Sequence, residues 1–541
     1  MNAGFNGIIH PMNSSLQIPL QTPLDSPVQS PILRQLQAEN SDLKAEVVNL
    51  KKQLDWLKRQ LFGQKRERFE APPEQMAFAD LFDARPAPAD EPQYQDIPAH
   101  KRREKSQQTE DETALFFDDN VPVETIHLLS QEAQGVDPQS YEVISEKVTY
   151  KLAQRPGAFV ILKYVRPVIK FKQTGQIASA PAPAGVLGNS RADVSFLAGA
   201  LTDKFLYHAP LYRQHQRLDQ CGIHVTRPWL TQVTQAALEL LSPVYESQMD
   251  SICSSRVIAM DETPIKAGLS EGGKMKTGYF WPIYGEQDEV GFPFFPNRQH
   301  GNVGQILHRK QAHPPPDRVI LSDGYEAYKK YAHTMGLTHA QCWSHSRRKF
   351  FESLEVEKTL ASQALTLIGE IYAVEDAIRD QALQGADKRA YRQRHALPLV
   401  DQFFRWVHDK LNGHGFLPSN PVTKALNYVR ERETGLRVFL TDPEVAVDTN
   451  HLERALRVIP MGKRAWLFSW TEVGAQHVGI IQSLIVTCRL HSIDPYEYLV
   501  DVLQRVGEHP ASRVHELTPR LWKQHFADNP LRSPLHKFDQ Q

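Results

Sequence analysis

The chain has 541 residues, 41% hydrophobic and 23% charged, and its formal net charge of −1 means that any nucleic-acid partner must be bound by local basic patches. The four cysteines are widely spaced and form no C-x-x-C pair, which excludes a cysteine-based zinc or iron–sulfur framework and suits a reducing cytosol. No apolar run approaches the roughly 18 residues of a membrane span, and the absence of Lys or Arg before Arg34 argues against a secretory signal, so we expect a cytoplasmic protein.

The N-terminal region changes character at residue 32. Residues 1–31 are rich in proline and polar residues and predict a disordered leader. Residues 32–69 then carry a heptad repeat with one polar residue, Asn40, in its seam. The seam positions are Leu33, Leu36, Asn40, Leu43, Val47, Leu50, Leu54, Leu57 and Leu61. This pattern predicts a leucine-zipper coiled coil joining two chains. The alternative is a helix packed on its own chain, but the flanking proline-rich segments offer little core.

The next segments predict a linker, a small β module and a helical region. Residues 70–120 form the linker, whose run "KRREK" is either solvated or touches phosphate. Residues 121–185 contain two β-branched runs joined by the turn "AQRPGA" and predict the β module. Residues 190–250 predict helices arranged like a helix-turn-helix, with Thr226 as a cap. Most helix pairs do not read DNA, so both interpretations stay open.

Two acidic residues stand where apolar strands are predicted to end. Asp261 follows "VIAM", and Asp323 follows "VILS". Residues at the ends of adjacent strands converge at one edge of a sheet, where buried carboxylates repel each other unless a cation lies between them. The pair therefore predicts two ions of Mg²⁺ or Mn²⁺ and phosphodiester cleavage. The alternative for each residue is an acid that meets solvent or a turn amide.

The stretch "VDTNHLERALR" at residues 447–457 has two interpretations. Asn450 with Glu453 three residues later is a helix-opening pattern in which the glutamate reaches back to the cap amide. Alternatively, Glu453 points into a charged cleft and binds metal, while Leu452 and Leu456 pack the helix. If Glu453 is not a ligand, Asp448 is the next candidate.

Basic residues flank both regions and are candidates for phosphate contacts, although such side chains are often solvated or paired within a helix. They are Arg347, Arg348, Lys349, Arg454, Arg457, Lys463 and Arg464. Trp343 is expected in the core rather than as a base-stacking residue. His345 either contacts phosphate or is a satisfied residue at a helix start.

Eight motifs together resemble transposases of the insertion sequence sixty-six family over about residues 33–522. In chain order they are "LFGQKRERF", "HAPLYRQ", "MDETP", "KTGYFWPI", "SDGYEAY", "CWSHSRRKF", "DTNHLERALR" and "SIDPYEYLVDVLQRV". The resemblance implies the DDE class, whose ribonuclease H-like core holds two Asp and one Glu around Mg²⁺. Matched residue by residue, it implies that Asp261, Asp323 and Glu453 are both the catalytic residues and the metal ligands.

The resemblance and the patterns together imply a multidomain α+β/α/β fold. Its predicted parts after the linker are the β module (121–185), the helical region (190–250), a ribonuclease H-like core in two pieces (254–344 and 441–470), an all-α insertion (345–440) and a C-terminal helical region (471–541). The implied function is that of a DNA transposase of a bacterial insertion sequence, with double-stranded DNA, a zipper-mediated homodimer and small accessory proteins as partners. One rival is a catalytically decayed DNA-binding protein. Another is a sugar hydrolase, which would not explain the zipper.

The chain departs from the family pattern in two places. Family members commonly carry two cysteine pairs in a zinc-finger-like module, but residues 124–180 contain no cysteine, so no zinc is expected here. The family also tends to have two asparagines after the aspartate, where this chain has Thr449 and Asn450. The second departure affects only the expected cap of the helix.

The heptad pattern generates the first prediction. A peptide of residues 32–62 should form a helical dimer at micromolar concentration, as measured by analytical ultracentrifugation and circular dichroism. Replacing the buried amide in Asn40→Leu should raise the thermal midpoint while broadening the distribution of oligomers. A wild-type peptide that stays monomeric at high micromolar concentration would contradict the zipper.

Overall fold

The computed structural model describes residues 115–538, apart from residues 120, 156, 184, 189, 270–273, 310–311, 313–314 and 414–416. The predicted leader, the zipper and most of the linker lie outside the described residues. None of the helices in the described part of the chain combines the length and the apolar character of a membrane span.

The described residues form fourteen strands and a larger number of helices. The strands are β1 (Phe116–Phe117), β2 (Val123–His127), β3 (Tyr141–Arg155), β4 (Ala158–Phe171), β5 (Ile177–Ser179), β6 (Ile223–His224), β7 (Val257–Met260), β8 (Thr263–Leu269), β9 (Met275–Phe280), β10 (Ile283–Tyr284), β11 (Val290–Gly291), β12 (Phe294–Phe295), β13 (Val319–Ser322) and β14 (Thr338–Gln341). The helices are α1 (Val194–Phe205), α2 (Leu211–Gln220), α3 (Arg227–Leu240), α4 (Ser242–Cys253), α5 (Gly301–Leu307), α6 (Glu326–Met335), α7 (Trp343–Glu352), α8 (Lys358–Asp380), α9 (Gly385–Tyr391), α10 (Leu397–Gly413), α11 (Pro421–Arg430), α12 (Glu433–Leu436), α13 (Val438–Thr441), α14 (Asn450–Leu456), α15 (Val458–Trp466), α16 (Glu472–Leu490), α17 (Pro495–Arg505) and α18 (Pro519–His525).

Strands and helices lie within the residues of the predicted β module and helical region. β3 and β4 make a long antiparallel hairpin, with β2 parallel to β4 on its other side. α2 and α3 flank the short strand β6, and the Thr226 hydroxyl accepts the backbone N–H of Trp229 at 3.2 Å, which is the predicted cap. The predicted cap is confirmed, while the helix-turn-helix arrangement and its contact with DNA stay predictions.

A five-stranded sheet lies at the centre, in the order β11-β10-β7-β13-β14. β7, β13 and β14 are parallel, and β10 and β11 continue the sheet antiparallel on the far side of β7. Every residue of β7 and β13 is buried, which explains their unbroken apolar sequences. Because β7 and β13 are parallel neighbours, Asp261 and Asp323 emerge at the same edge of the sheet.

The predicted antiparallel meander after Asp261 is divided between two sheets. β8, β9 and β12 form a separate three-stranded sheet, whereas β10 and β11 join the central one. The division falls at Trp281–Pro282, between β9 and β10. Proline has no N–H to continue a ladder, and the Pro282 carbonyl instead accepts the backbone N–H of Asp261 at 3.2 Å.

α16 is buried along most of its length and joins the helical region to the central sheet. The Gln248 side chain on α4 donates to the Val290 carbonyl on β11 at 2.9 Å and to the Thr487 hydroxyl on α16 at 3.0 Å. The Ser483 hydroxyl accepts the N–H of Phe292 at 2.9 Å. These bonds satisfy polar groups inside a core that is otherwise apolar.

The helical insertion, α8 to α13, is held by a buried arginine. Arg392 lies in a π-helical turn between α9 and α10 and is fully buried. Its guanidinium binds both carboxylate oxygens of Glu375, at 2.8 and 2.7 Å. It also donates to the carbonyls of Phe439 at 2.8 Å and Val445 at 3.0 Å. One side chain thus connects α8 with the chain that leads into α14.

Trp343 occupies the core, as the sequence predicted. Its indole N–H donates to the Leu436 carbonyl at 2.9 Å, and its ring packs against Phe403 with centroids 5.3 Å apart. It therefore joins the start of α7, directly after the central sheet, to the insertion.

The second prediction concerns this packing. Trp343→Ala should lower the free energy of unfolding by about 3–5 kcal/mol, because it leaves a cavity and an unpaired carbonyl. Urea denaturation followed by circular dichroism would measure the change. Phe351→Ala is the matched control, because Phe351 is on the same helix but 58% exposed, and it should change stability by less than about 0.5 kcal/mol. Equal effects of the two substitutions would contradict the core role.

Candidate functional site

Asp261 begins the candidate site directly after β7. Its carboxylate accepts the backbone N–H of Glu262 at 2.8 Å. The pKa of Asp261 is raised to about 7, mainly by burial and in addition by the negative charges of Glu262, Asp323 and Glu453, while the hydrogen bond from Glu262 opposes the shift. An acid in this state needs a compensating positive charge to stay ionised.

Asp323 stands at the matching position after β13. Its carboxylate accepts the backbone N–H of Tyr325 at 2.8 Å, and its carbonyl accepts the Tyr428 hydroxyl of α11 at 2.6 Å. The following Gly324 has a φ of +93°, and a Cβ there would lie 2.5 Å from Arg432 Nε. The turn that carries Asp323 is therefore fixed by the insertion and requires glycine.

Glu262 is a third acid at this edge, and the sequence analysis did not identify it. One carboxylate oxygen from each of Asp261, Glu262 and Asp323 lies within 4.8 Å of the others. The side chain of Glu262 is only 3% exposed; it accepts the Tyr328 hydroxyl at 2.7 Å and pairs with Arg298. In a continuous strand, the side chains of Asp261 and Glu262 would point to opposite faces of the sheet. Because β7 ends at Met260, this alternation does not extend to the two acids. The available signal was the adjacent acid in "MDETP".

Glu453 lies in the first turn of α14, outside the 4.8 Å cluster. Its carboxylate is 3.8 Å from Arg348 Nη2 and 3.9 Å from His345 Nδ1. Its negative charge also contributes to the raised pKa of Asp261. Glu453 Oε1 and His345 Nδ1 are both buried and have no hydrogen-bond partner among the described residues. Burial lowers the pKa of His345. The structure thus brings two of the three predicted ligands together and leaves an unsatisfied oxygen on the third.

The capping interpretation of Asn450 and Glu453 is wrong. The helix begins at Asn450, and Thr449 occupies the cap position without a side-chain hydrogen bond. Asp448 accepts the backbone N–H of Asn450 at 3.0 Å and its side-chain amide at 2.6 Å. Glu453 therefore does not reach back, because an earlier carboxylate already accepts the amide of Asn450 at the helix start.

Asp448, the next candidate ligand, is already engaged. Besides Asn450 it accepts the Tyr372 hydroxyl at 2.8 Å. Its neighbour Thr449 is buried and donates its hydroxyl to the Cys342 sulfur at 3.3 Å. The threonine at the family's asparagine position therefore packs the loop against the start of α7.

The donors at this edge fit a hard divalent cation. The clustered groups are all carboxylates, which suit Mg²⁺ or Mn²⁺ better than softer metals. Their mutual repulsion and the unpartnered oxygen of Glu453 are the features that a bound cation would compensate.

The predicted phosphate contacts fall into two groups. Arg348 faces Glu453, and Lys349 lies 3.4 Å from Glu352. The side chains of the remaining five make no hydrogen bond or ion pair with any residue that the structure describes, and all but the half-buried Lys463 are exposed; they are Arg347, Arg454, Arg457, Lys463 and Arg464. His345 proves to be a neighbour of Glu453 rather than a satisfied residue.

Comparisons with known proteins match most of the chain. A family model described as "Transposase IS66 family" matches residues 189–477, one described as "IS66 C-terminal element" matches 483–520, and one described as "Transposase C of IS166 homeodomain" matches 49–126. Two similar proteins are the uncharacterized proteins y4hP and y4jD of Sinorhizobium fredii (strain NBRC 101917 / NGR234). The first is 28% identical over 70% of this chain and 71% of its own length; the second is 27% identical over 70% and 76%.

The electrostatics of Asp261 generate the third prediction. Its pKa of about 7 in the folded protein exceeds the value near 4 of an unfolded chain. Between these pH values the folded state binds more protons, so the free energy of unfolding falls as pH rises from about 4 to 7. Asp261→Asn cannot ionise and should avoid this loss. In EDTA at pH 8 it should be of order 2 kcal/mol more stable than wild type. This is about half of the free energy that corresponds to the whole pKa shift, because solvent screens a side chain that is partly exposed.

The two proteins should differ little near pH 4.5, and urea denaturation at pH 4.5, 6 and 8 would measure the trend. Asp409→Asn, which removes an exposed acid on α10, is the matched control and should show no such trend. A stability difference that is constant with pH would contradict the raised pKa.

Proposed function

The chain belongs to the IS66 transposase family, and on that premise we propose that it is a DDE transposase of a bacterial insertion sequence. It would hydrolyse DNA at the element ends and then transfer the freed 3′ hydroxyls into target DNA. The observation that carries the proposal is the meeting of Asp261 and Asp323 at the ends of adjacent parallel strands, with carboxylate oxygens within 4.8 Å.

The strand order supports a ribonuclease H-like core. Numbered along the chain, the five strands of the central sheet would be 1 to 5, and their order in space is 3-2-1-4-5 with the second strand antiparallel to the first. The first two acids follow strands 1 and 4, and the third would come from a helix after the insertion.

Asp261, Asp323 and Glu453 would hold the metal. When bound, Mg²⁺ or Mn²⁺ activates the attacking water and stabilises the leaving oxygen of the phosphodiester. Glu262 is the structural competitor of Glu453 for this role. We favour Glu453 because Glu262 is already engaged by Arg298 and Tyr328, whereas an oxygen of Glu453 is buried without a hydrogen-bond partner.

The remaining residues orient the acids and bind DNA. Tyr428 and the backbone N–H of Tyr325 fix Asp323, and the N–H of Glu262 orients Asp261. Arg348 beside Glu453 would contact the phosphate nearest the site. Water attack breaks the P–O3′ bond and leaves a 3′ hydroxyl and a 5′ phosphate; in strand transfer that hydroxyl attacks a target phosphorus and displaces its 3′ oxygen.

DNA would be held by the unpartnered basic residues on α14 and α15. Arg454, Arg457, Lys463 and Arg464 follow Glu453 within eleven positions and lack ion-pair partners among the described residues. Such cations bind phosphate without sequence preference and make affinity fall with salt. A homodimer through the zipper would hold two element ends together, and small accessory proteins are further proposed partners.

The fourth prediction tests the third ligand. Glu453→Gln should lower Mg²⁺-dependent nicking of element-end DNA by at least about a hundredfold, because it removes a negative charge from the metal site. Folding and DNA retention should stay near wild type. Gel assays of nicking and binding, together with thermal melting, measure the three properties.

Two variants make the result specific. Glu262→Gln should lower nicking less than Glu453→Gln does, because we assign Glu262 a positioning role. Glu355→Gln, an exposed glutamate beyond the end of α7, should have no effect. Loss of nicking in Glu262→Gln with near-normal rates in Glu453→Gln would move the third ligand to Glu262. A wild-type protein that binds but never nicks in Mg²⁺ or Mn²⁺ would favour the decayed DNA-binding protein.

A further inference from the structure

The turn between α15 and α16 exposes two large apolar side chains. In this segment, called here the 466–470 turn, Leu467 is 65% and Trp470 is 67% exposed. Tryptophan is usually buried to a large extent, as Trp343 is in the same protein. An exposed tryptophan next to an exposed leucine therefore indicates a binding surface, which single scattered apolar residues do not.

The backbone of the turn is strained at Leu467. Its φ of +67° and ψ of −51° form a γ-turn, closed by the Phe468 N–H donating to the Trp466 carbonyl at 2.8 Å. A branched residue rarely adopts this conformation, which glycine would accept more easily. Such strain persists only where the surrounding structure holds it in place, and it clusters at functional sites.

Contacts on both sides hold the turn in place. The Trp466 ring packs against Phe205, with centroids 5.9 Å apart, and against His208 at 5.7 Å. On the other side Ser469 pairs with the edge of β8, donating its N–H to the Lys266 carbonyl at 2.9 Å and accepting the Gly268 N–H at 3.1 Å. Leu467 and Trp470 are therefore exposed from a fixed support rather than from a loose loop.

The charge beside the turn favours an anionic partner. Lys463 and Arg464 lie in the last turn of α15 and have no ion-pair partner in the described part of the chain. The neighbouring acid Glu472 is 3.8 Å from Lys276, so its charge is already offset. Flat aromatic and apolar surface next to free cations matches a nucleic acid, whose bases stack while its phosphates are neutralised.

The 466–470 turn lies at a distance from Asp261 that one bound DNA molecule could span. β8 begins two residues after Asp261, and Ser469 pairs beside Ala267 on that strand. Six residues of extended chain span ~20 Å. That is about six base pairs at the 3.4 Å rise of each DNA strand. DNA that reaches Asp261 and follows α15 would thus pass the 466–470 turn.

We propose that Leu467 and Trp470 bind unstacked bases of the DNA substrate, with Trp470 as the stacking surface and Leu467 as a wedge at the neighbouring base step. This inference rests on the proposed function and adds a second contact, which recognises deformed rather than regular duplex. Apolar side chains that enter a base step need DNA that unstacks easily, so the turn would favour mismatched or frayed DNA.

The test uses the full chain in EDTA and two probes: a 30-base-pair duplex of mixed sequence and the same duplex with three central mismatches. Fluorescence anisotropy gives the two dissociation constants. Wild type should bind the mismatched duplex about tenfold more tightly, and Trp470→Ala should reduce that ratio to about one while retaining affinity for the paired duplex. Trp470→Phe should retain most of the preference.

Three further variants separate the contributions. Leu467→Gly accepts the backbone conformation and should lower the preference in part without destabilising the protein. Lys463→Gln should weaken binding of both probes equally and flatten the dependence on salt. Phe116→Ala, which removes an equally exposed ring (61%) on β1, should change neither constant.

The outcomes distinguish this inference from the proposed function. If wild type binds both probes equally, or if Trp470→Ala keeps the preference, the base contact is refuted while DNA binding stands. If wild type binds neither probe at any salt concentration, both the base contact and the proposed function are refuted.

Discussion

Like-charge repulsion at one edge of the central sheet is the constraint on which the rest of the structure depends. The parallel pairing of β7 and β13 brings Asp261 and Asp323 together in a partly buried place, where burial and mutual charge raise the pKa of Asp261 to about 7. Such a cluster destabilises a protein unless a cation or hydrogen bonds offset it. Tyr328 and Arg298 supply part of that support by binding the carboxylate of Glu262.

The helical insertion is part of the site's support rather than an appendage. α11 supplies the Tyr428 hydroxyl for the Asp323 turn, and Arg432 of the next segment donates to the Gly324 carbonyl at 3.3 Å. On the other side, the Tyr372 hydroxyl of α8 donates to the Asp448 carboxylate at 2.8 Å, just before α14. The insertion therefore contacts the turn that carries Asp323 and the segment that precedes Glu453. These contacts explain how the positions of the acids can be fixed although a long insertion separates them in the sequence.

The parts that sequence predicted well are those set by local chemistry. The apolar runs before Asp261 and Asp323 had to be buried strands, and Thr226 had to cap a helix, because neighbouring residues alone decide such features. What could not be predicted depends on distant partners. Glu262 joins the cluster because Tyr328 and Arg298 hold it there, and the backbone N–H of Asn450 at the start of α14 donates to Asp448 rather than to Glu453.

The contacts of Pro282 and Arg392 also depend on distant partners and could not be predicted from the sequence. A proline within an apparent strand predicts a break, but not that its carbonyl would then accept the N–H of Asp261. Arg392 reads as one basic residue among several in "KRAYRQRH", and only the folded chain brings its guanidinium to Glu375 and to carbonyls about fifty positions later. Long-range contacts of this kind have no local signature.

The bonds of Arg392 have a consequence for synthesis on the ribosome. Chains emerge from the N-terminus, and segments fold when their partners are available. The sheet edge with Asp261 and Asp323 emerges first, yet Tyr428 and the carbonyls bound by Arg392 lie more than a hundred residues later than Asp261. Glu453 follows later still. A nascent or truncated chain therefore presents Asp261 and Asp323 before Tyr428, which fixes the Asp323 turn, and before Glu453 has been synthesised.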